Sequence, residues 1–281
     1  MNTDLAWHRL HTRLQQDRLI PDATEISPGR LFNVSSLRLA AAIVIAISVA
    51  TVTLMLRQKT ASEQDGSLLA LYNEKGYATL VTALEDGSVV YLADDSRLYY
   101  PEHFPTAGKR DVSLEGRAMF DVRGDSRRPF IITTPTVQIE VTGTVFDLQS
   151  AGSNPFELSV RQGQVKITST KSGQHLYAQA GETVTLTPSG NLLAEETAGN
   201  NPFSIYDGRI RFKDEKLINI LRIINNNKAS ELTLQTTPSL ENRTITATFI
   251  DATPENVAEL ICIALNLLCK KDNNTLLITE P

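Results

Sequence analysis

Residues Leu39 to Leu56, LAAAIVIAISVATVTLML, run without a single charge. As a helix rising about 1.5 Å per residue, this stretch reaches roughly 27 Å, close to the hydrocarbon thickness of a bilayer. A core helix would keep a polar stripe, but the polar groups here are only Ser48, Thr51 and Thr53, whose hydroxyls can bond back to the preceding turn. A secretion signal would begin with a short basic segment and end at a small-x-small site. Here a long polar segment comes first, and the run ends in Met55, Leu56 and Arg57. The segment 37–57 is therefore read as a single membrane-spanning helix. Arg9, Arg13, Arg18, Arg30 and Arg38 precede it, whereas Arg57, Lys59 and the more distant Lys75 come after it. That bias places the N-terminus in the cytoplasm and the C-terminal bulk in the periplasm, anchored in the inner (cytoplasmic) membrane.

The remainder is long enough for one large domain or two small ones. A net charge of −5 and a pI near 5.5 argue against a nucleic-acid-binding face, which would need clustered Lys and Arg. The only cysteines are Cys262 and Cys269. A disulfide between them would close a short loop, and two buried thiols fit the sequence equally well.

Residues 1–36 begin with a helical pattern in which Leu5, Leu10 and Leu14 form an apolar stripe beside Trp7, stopped by Pro21. A helix this short buries nothing of its own and is marginal alone in water. Segment 58–67 is polar and reads as a linker. From 68 to 196 short alternating segments succeed one another with turn signals such as Asp86-Gly87 between them, among them Val89–Leu92, Arg117–Val122, Val137–Val141 and Val165–Ile167. This pattern predicts an all-β sandwich or roll. A polar hinge then leads into residues 203–281, where helical spacing at Leu217, Ile220, Leu221 and Ile224 gives way to strands. Thr253-Pro254 opens a second helix whose predicted buried face is Val257, Leu260, Ile261, Ala264 and Leu265. The expected order is β-α-β-β-α-β-β, a small α+β domain.

Several segments carry a family likeness. Leu84-Glu85-Asp86-Gly87-Ser88 resembles an L-P-D-G-S turn, with Glu85 in place of proline. Arg110 to Val122, RDVSLEGRAMFDV, resembles the run R-x-V-x-L-x-G-E-A-x-F-x-V, with Arg117 in place of the acidic residue. Pro129-Phe130 and Gly143-Thr144-Val145-Phe146-Asp147-Leu148 resemble P-F and G-T-x-F-x-V segments. With Ala6-Trp7, Leu10 and Arg13 at the start, the chain resembles the FecR family of transmembrane anti-sigma factors, in its Bacteroidetes form. Its C-terminal part is similar to the short signalling modules of secretins and TonB-dependent receptors.

The resemblance implies two partners. An extracytoplasmic-function sigma factor would bind the cytoplasmic helix through Leu5, Trp7, Leu10 and Leu14. The periplasmic signalling domain of a TonB-dependent outer-membrane receptor would meet the C-terminal domain, where Leu276 to Ile278 could offer a strand edge. Nutrient-uptake genes would be the regulated set. The resemblance also points to Gly143-Thr144 as a self-cleavage pair, in which the hydroxyl attacks the preceding carbonyl; the plainer reading of the same residues, and the one favoured here, is a bend into a strand. No cofactor or metal site is expected, and no hydrolase, phosphate-loop or Cys/His motif occurs. A competing reading is an anchored periplasmic binding or scaffold protein that recognises glycan or envelope components through Tyr91, Tyr99, Tyr100, Phe104 and Tyr206.

Overall fold

The computed structural model describes residues 3–17, 67–150, 155–197, 201–206, 208–226, 231–250 and 253–281. It divides into two compact units, Met1–Gln64 and Asp65–Pro281. In the first, helix α1 spans Thr3–Gln16. The apolar run Leu39–Leu56 lies outside the described residues.

The second unit is built on a long strand, β5 (Arg110–Asp121). Its residues alternate inward and outward until Gly116, which takes φ 106°. Gly116 has no Cβ, and one placed there would meet the Cα of Ser96 at 2.8 Å. The strand therefore bends at Gly116 without ending, and its two halves enter different layers. The sequence pattern resolved only the second half, because a glycine between two apolar runs reads as a break.

The first half of β5 pairs antiparallel with β4 (Ser96–Pro101) and parallel with β6 (Phe130–Thr133). This layer extends through β1 (Leu68–Asn73) on one side, and through β7 (Val137–Val141), β10 (Gln164–Ser169) and β11 (His175–Gln179) on the other. The second half pairs with β3 (Val89–Leu92) and β8 (Val145–Ser150). That layer continues through β9 (Glu157–Gln162), β12 (Glu182–Leu186) and β13 (Leu192–Glu196) at one end and β2 (Thr79–Ala83) at the other. Between the layers Phe120 stacks on Phe146 at 5.4 Å and tilts against Phe130, with Leu98, Leu114, Ile132 and Leu158 filling in.

The C-terminal part begins with a 3-10 turn, Pro202–Tyr206, and β14 (Arg209–Lys216). Then come α2 (Leu217–Asn225), β15 (Thr233–Thr236), β16 (Thr244–Ile250), α3 (Pro254–Leu265), β17 (Leu268–Asp272) and β18 (Thr275–Thr279). Thr253 caps α3 by accepting from the Asn256 N–H, and Asn266 closes it in the left-handed conformation. β14 pairs antiparallel with β16 and parallel with β2, through Ile210↔Thr79 and Arg211↔Leu80.

The fold class expected from the sequence, a single-pass membrane protein with an all-β domain followed by a separate α+β domain, is thereby corrected. Among the described residues no helix is long and apolar enough to cross a membrane. The described protein is mostly β, and one 15-stranded sheet curls into a nearly closed, barrel-like form that includes β14 and β16. An uncovered β2 edge would leave backbone groups unpaired, and β14 supplies their partners. A second apolar cluster takes Val81 and Val89 from the β-rich part together with Phe212, Leu221, Phe249 and Val257 from the C-terminal part.

Two finer expectations also change. β18 is the middle of a three-stranded sheet, between β15 and β17, so Leu276 to Ile278 offer no free edge; the open edge of that hairpin is β17, exposed along its length. The buried face of α3 is Pro254, Val257, Ala258, Ile261 and Cys262, whereas Leu260 is 49% exposed. Cys262 is disulfide-bonded to Cys269 of β17, which fixes the side of the helix that faces the sheet.

Candidate functional site

On α1 the predicted stripe is only partly sheltered. Trp7 and Leu10 are 68% and 50% exposed, and Leu14 is half-buried. The side chain of Leu5 lies outside the described residues. Trp7, Leu10 and Leu14 succeed one another at spacings of three and four and so share one helical face.

The turn and strand motifs converge on a buried ion pair. The Arg110 Nη1 donates to Asp86 Oδ2 at 2.6 Å, and both side chains are almost fully buried. Arg110 also donates to the carbonyls of Arg128 (2.8 Å) and Arg123 (3.0 Å) and lies over the Phe130 ring. Asp86 accepts in turn from the backbone N–H and hydroxyl of Ser88, at 2.9 and 2.7 Å. Charge-assisted bonds from several sides are what a buried pair requires if it is to offset its desolvation. Asp86, Ser88 and Arg110 are thus framework residues that tie the β2–β3 turn to the start of β5. Glu85, at the position of the expected proline, accepts from the Phe104 N–H at 2.8 Å and contacts His103 Nδ1 at 3.0 Å. The Phe104 hydrogen bond, followed by that of His103, holds its carboxyl below the ordinary glutamate value.

Thr144 is buried at the mouth of β8, and its hydroxyl donates to the Gln164 carbonyl at 2.9 Å. Gly143 stands outside the left-handed region, and a Cβ on it would meet the Gly124 Cα at 2.8 Å. Across from it, a Cβ on Gly163 would meet the Gly143 carbonyl at 2.9 Å. Three chain segments pack backbone to backbone here, and glycine is the residue that permits it.

A third cluster escaped the sequence reading. Asp147, 1% exposed on β8, is forked by Arg117 of β5, with Nε at 3.1 and 3.2 Å from its two oxygens and Nη2 at 2.7 Å. The buried Tyr206 hydroxyl donates to the same carboxylate. Burial pushes the Asp147 carboxyl upward, and Arg117 and Tyr206 partly oppose it. Burial and the neighbouring carboxylate raise the Tyr206 phenol far above its usual range. Burial works against the Arg117 charge, yet Asp147 more than offsets it and the guanidinium is raised. The one sequence signal was Arg117 itself, basic where the resemblance calls for an acid.

These geometries belong with the match to known proteins. Residues 74–166 match the family model described as FecR protein. This segment is similar to a FecR domain. It covers β2 through the first half of β10 and contains the Asp86–Arg110 pair, the Gly116 bend and the Gly143-Thr144 corner. Two crystal structures of a candidate anti-sigma factor from Parabacteroides distasonis resemble the chain at 20% identity. Each covers 76% of this chain and 99% of its own, with TM-scores of 0.47 and 0.46. No curated protein matches the chain.

Proposed function

We propose that the protein is an anti-sigma regulator: α1 binds an extracytoplasmic-function sigma factor, and the FecR-like part with its C-terminal extension receives the signal from the periplasmic domain of a TonB-dependent receptor. The observation that carries this reading is the exposed Trp7–Leu10 pair on α1. An indole and a leucine on one face, rimmed by Arg9 and Arg13, suit a helix-in-groove contact in which tryptophan is the anchor. The FecR-like part supports the same reading. The Cys262–Cys269 disulfide supports a site of action for the C-terminal part outside the reducing cytoplasm. For the receptor, the open β17 edge with Lys270 and Lys271 is the surface on which a strand of the partner would add.

The test is co-purification of the full chain with the sigma factor encoded beside it. Trp7→Ala with Leu10→Ala abolishes capture if the reading holds, and undiminished capture refutes it. The glycan-binding alternative gains no support, since Phe104 and Tyr206 are buried and Tyr91, Tyr99 and Tyr100 are half-buried.

A further inference from the structure

Residues 201–206, ahead of β14, are gripped. Their 3-10 turn, Pro202–Tyr206, buries both aromatic side chains. Phe203 lies beneath the Arg161 guanidinium of β9 at 5.2 Å, Tyr206 meets Tyr91 of β3 edge-on at 6.4 Å, and Ala93 and Met119 form the apolar floor. Polar contacts add to this. Tyr206 donates to Asp147, and Arg117 donates through Nη2 both to Asp147 and to the Pro202 carbonyl, the latter at 3.2 Å.

Past this turn the chain is held by a different set of contacts. Only two residue pairs join β14 to β2. Beyond the bulge in β14, the Glu215 carboxylate accepts from the Ala83 N–H and the Thr82 hydroxyl, both at 3.1 Å. These contacts, the Arg211 guanidinium over the Tyr77 ring at 4.8 Å, and the apolar cluster that Val81, Val89, Ala83 and Tyr91 share with the C-terminal part seat that part on the β-rich layer.

We propose that Asp147, Arg117 and Tyr206 form a clasp that sets whether the C-terminal part stays seated on β2, so that opening it frees the turn 201–206 and unzips β14 from β2 as one cooperative event. The buried carboxylate is what makes the device two-state. With both partners in place Asp147 is satisfied; with either withdrawn a buried charge is left short of donors, and the segment opens to water instead of relaxing slightly. Arg117 and Asp147 fill two positions at which the resembled motifs prescribe either a different charge or nothing, and they answer each other. The inference concerns motion within the Asp65–Pro281 unit and stands apart from the sigma-factor reading.

Hydrogen exchange on the full chain, wild type against Tyr206→Phe, tests it. The substitution keeps the ring against Tyr91 and removes one hydrogen bond to a charged group, a loss that corresponds to roughly ten- to hundredfold in an opening equilibrium. The expected result is faster exchange by that factor in 201–206, Arg209–Lys216 and Thr79–Ala83 together. Rates in Phe130–Thr133, Val137–Val141 and Gln164–Ser169 stay unchanged. Arg117→Met, which withdraws the other partner, accelerates the same three segments. Unchanged exchange in both variants overturns the proposal, as does acceleration spread evenly over every strand, or acceleration of 201–206 without β14.

Discussion

Gly116 gives the sharpest quantitative test of how the FecR-like β part is built. Substitution by alanine adds a Cβ at φ 106°, a conformation L-residues avoid, at a cost of roughly 1–2 kcal/mol. The added carbon would also stand 2.3, 2.6 and 2.8 Å from the Oγ, Cβ and Cα of Ser96, and the last of these is backbone on the paired strand. Forcing a carbon into a filled site typically costs about 1–3 kcal/mol. Gly116→Ala should therefore lower the unfolding free energy by roughly 2–5 kcal/mol, a large share of a domain's usual total. Urea unfolding of the 65–281 unit, which holds both apolar clusters, measures it. Ser96→Gly supplies the second leg of a cycle. It removes two of the three colliding atoms and also the acceptor that takes the Arg117 N–H at 2.9 Å, so it costs stability alone yet partly relieves the alanine. A loss below about 1 kcal/mol, or strict additivity of the two substitutions, would refute the argument that β5 crosses between layers through this contact.

The same geometry sets other expectations. Arg110→Met leaves Asp86 buried with only Ser88 for company, and the unfolding free energy should fall by roughly 3–5 kcal/mol in urea titration. The Glu85 carboxyl is held below its ordinary value of 4.5, so its contribution is present above that pH and is lost as pH falls through the lower, folded-state value; carbonyl NMR titration should show a depressed midpoint that Phe104-side loop disruption returns toward 4.5. Cys262→Ser with Cys269→Ser opens a loop closed over a separation of 7 residues and should cost about 2–3 kcal/mol, seen as a lower thermal midpoint that reductant reproduces in the wild type. Thr144 is assigned to packing, so purified full-length chain should stay a single band on a denaturing gel; cleavage at Gly143-Thr144 that Thr144→Ala abolishes would reverse that assignment.

Local features of this fold were legible in the residues because they are encoded locally. The Asp86-Gly87 turn, the alternation in β7, and the Thr253-Pro254 start of α3 each depend on a few neighbouring side chains. The parallel pairing of β14 with β2 left no such trace, since nothing near Ile210 in sequence announces Thr79 as its partner. The same is true of Tyr206, which follows Phe203 and Ile205 in a short apolar turn and whose acceptor lies on β8. The face of α3 was misjudged for a related reason. Helical spacing allowed Leu260 inward as readily as Ala258, and the decision fell to the Cys262–Cys269 bond and to the small side chain that lets the helix approach. Of the candidate sites, the exposed Trp7–Leu10 stripe was readable from periodicity, whereas the Arg117–Asp147–Tyr206 cluster was visible only as an unexplained arginine.

The junction of β14 with β2 also sets the order in which this molecule can be completed during synthesis. Thr79 is made early and must wait for Ile210. At roughly 5–20 residues per second the interval is on the order of 10 s. Throughout it the outer edge of β2 and the apolar side chains of Val81 and Val89 have no cover, although both valines end fully enclosed. A chain in that state presents an unpaired strand edge to any neighbouring chain. An early strand of the sheet is thus completed only when β14 emerges, so any delay between them prolongs the exposure of that edge.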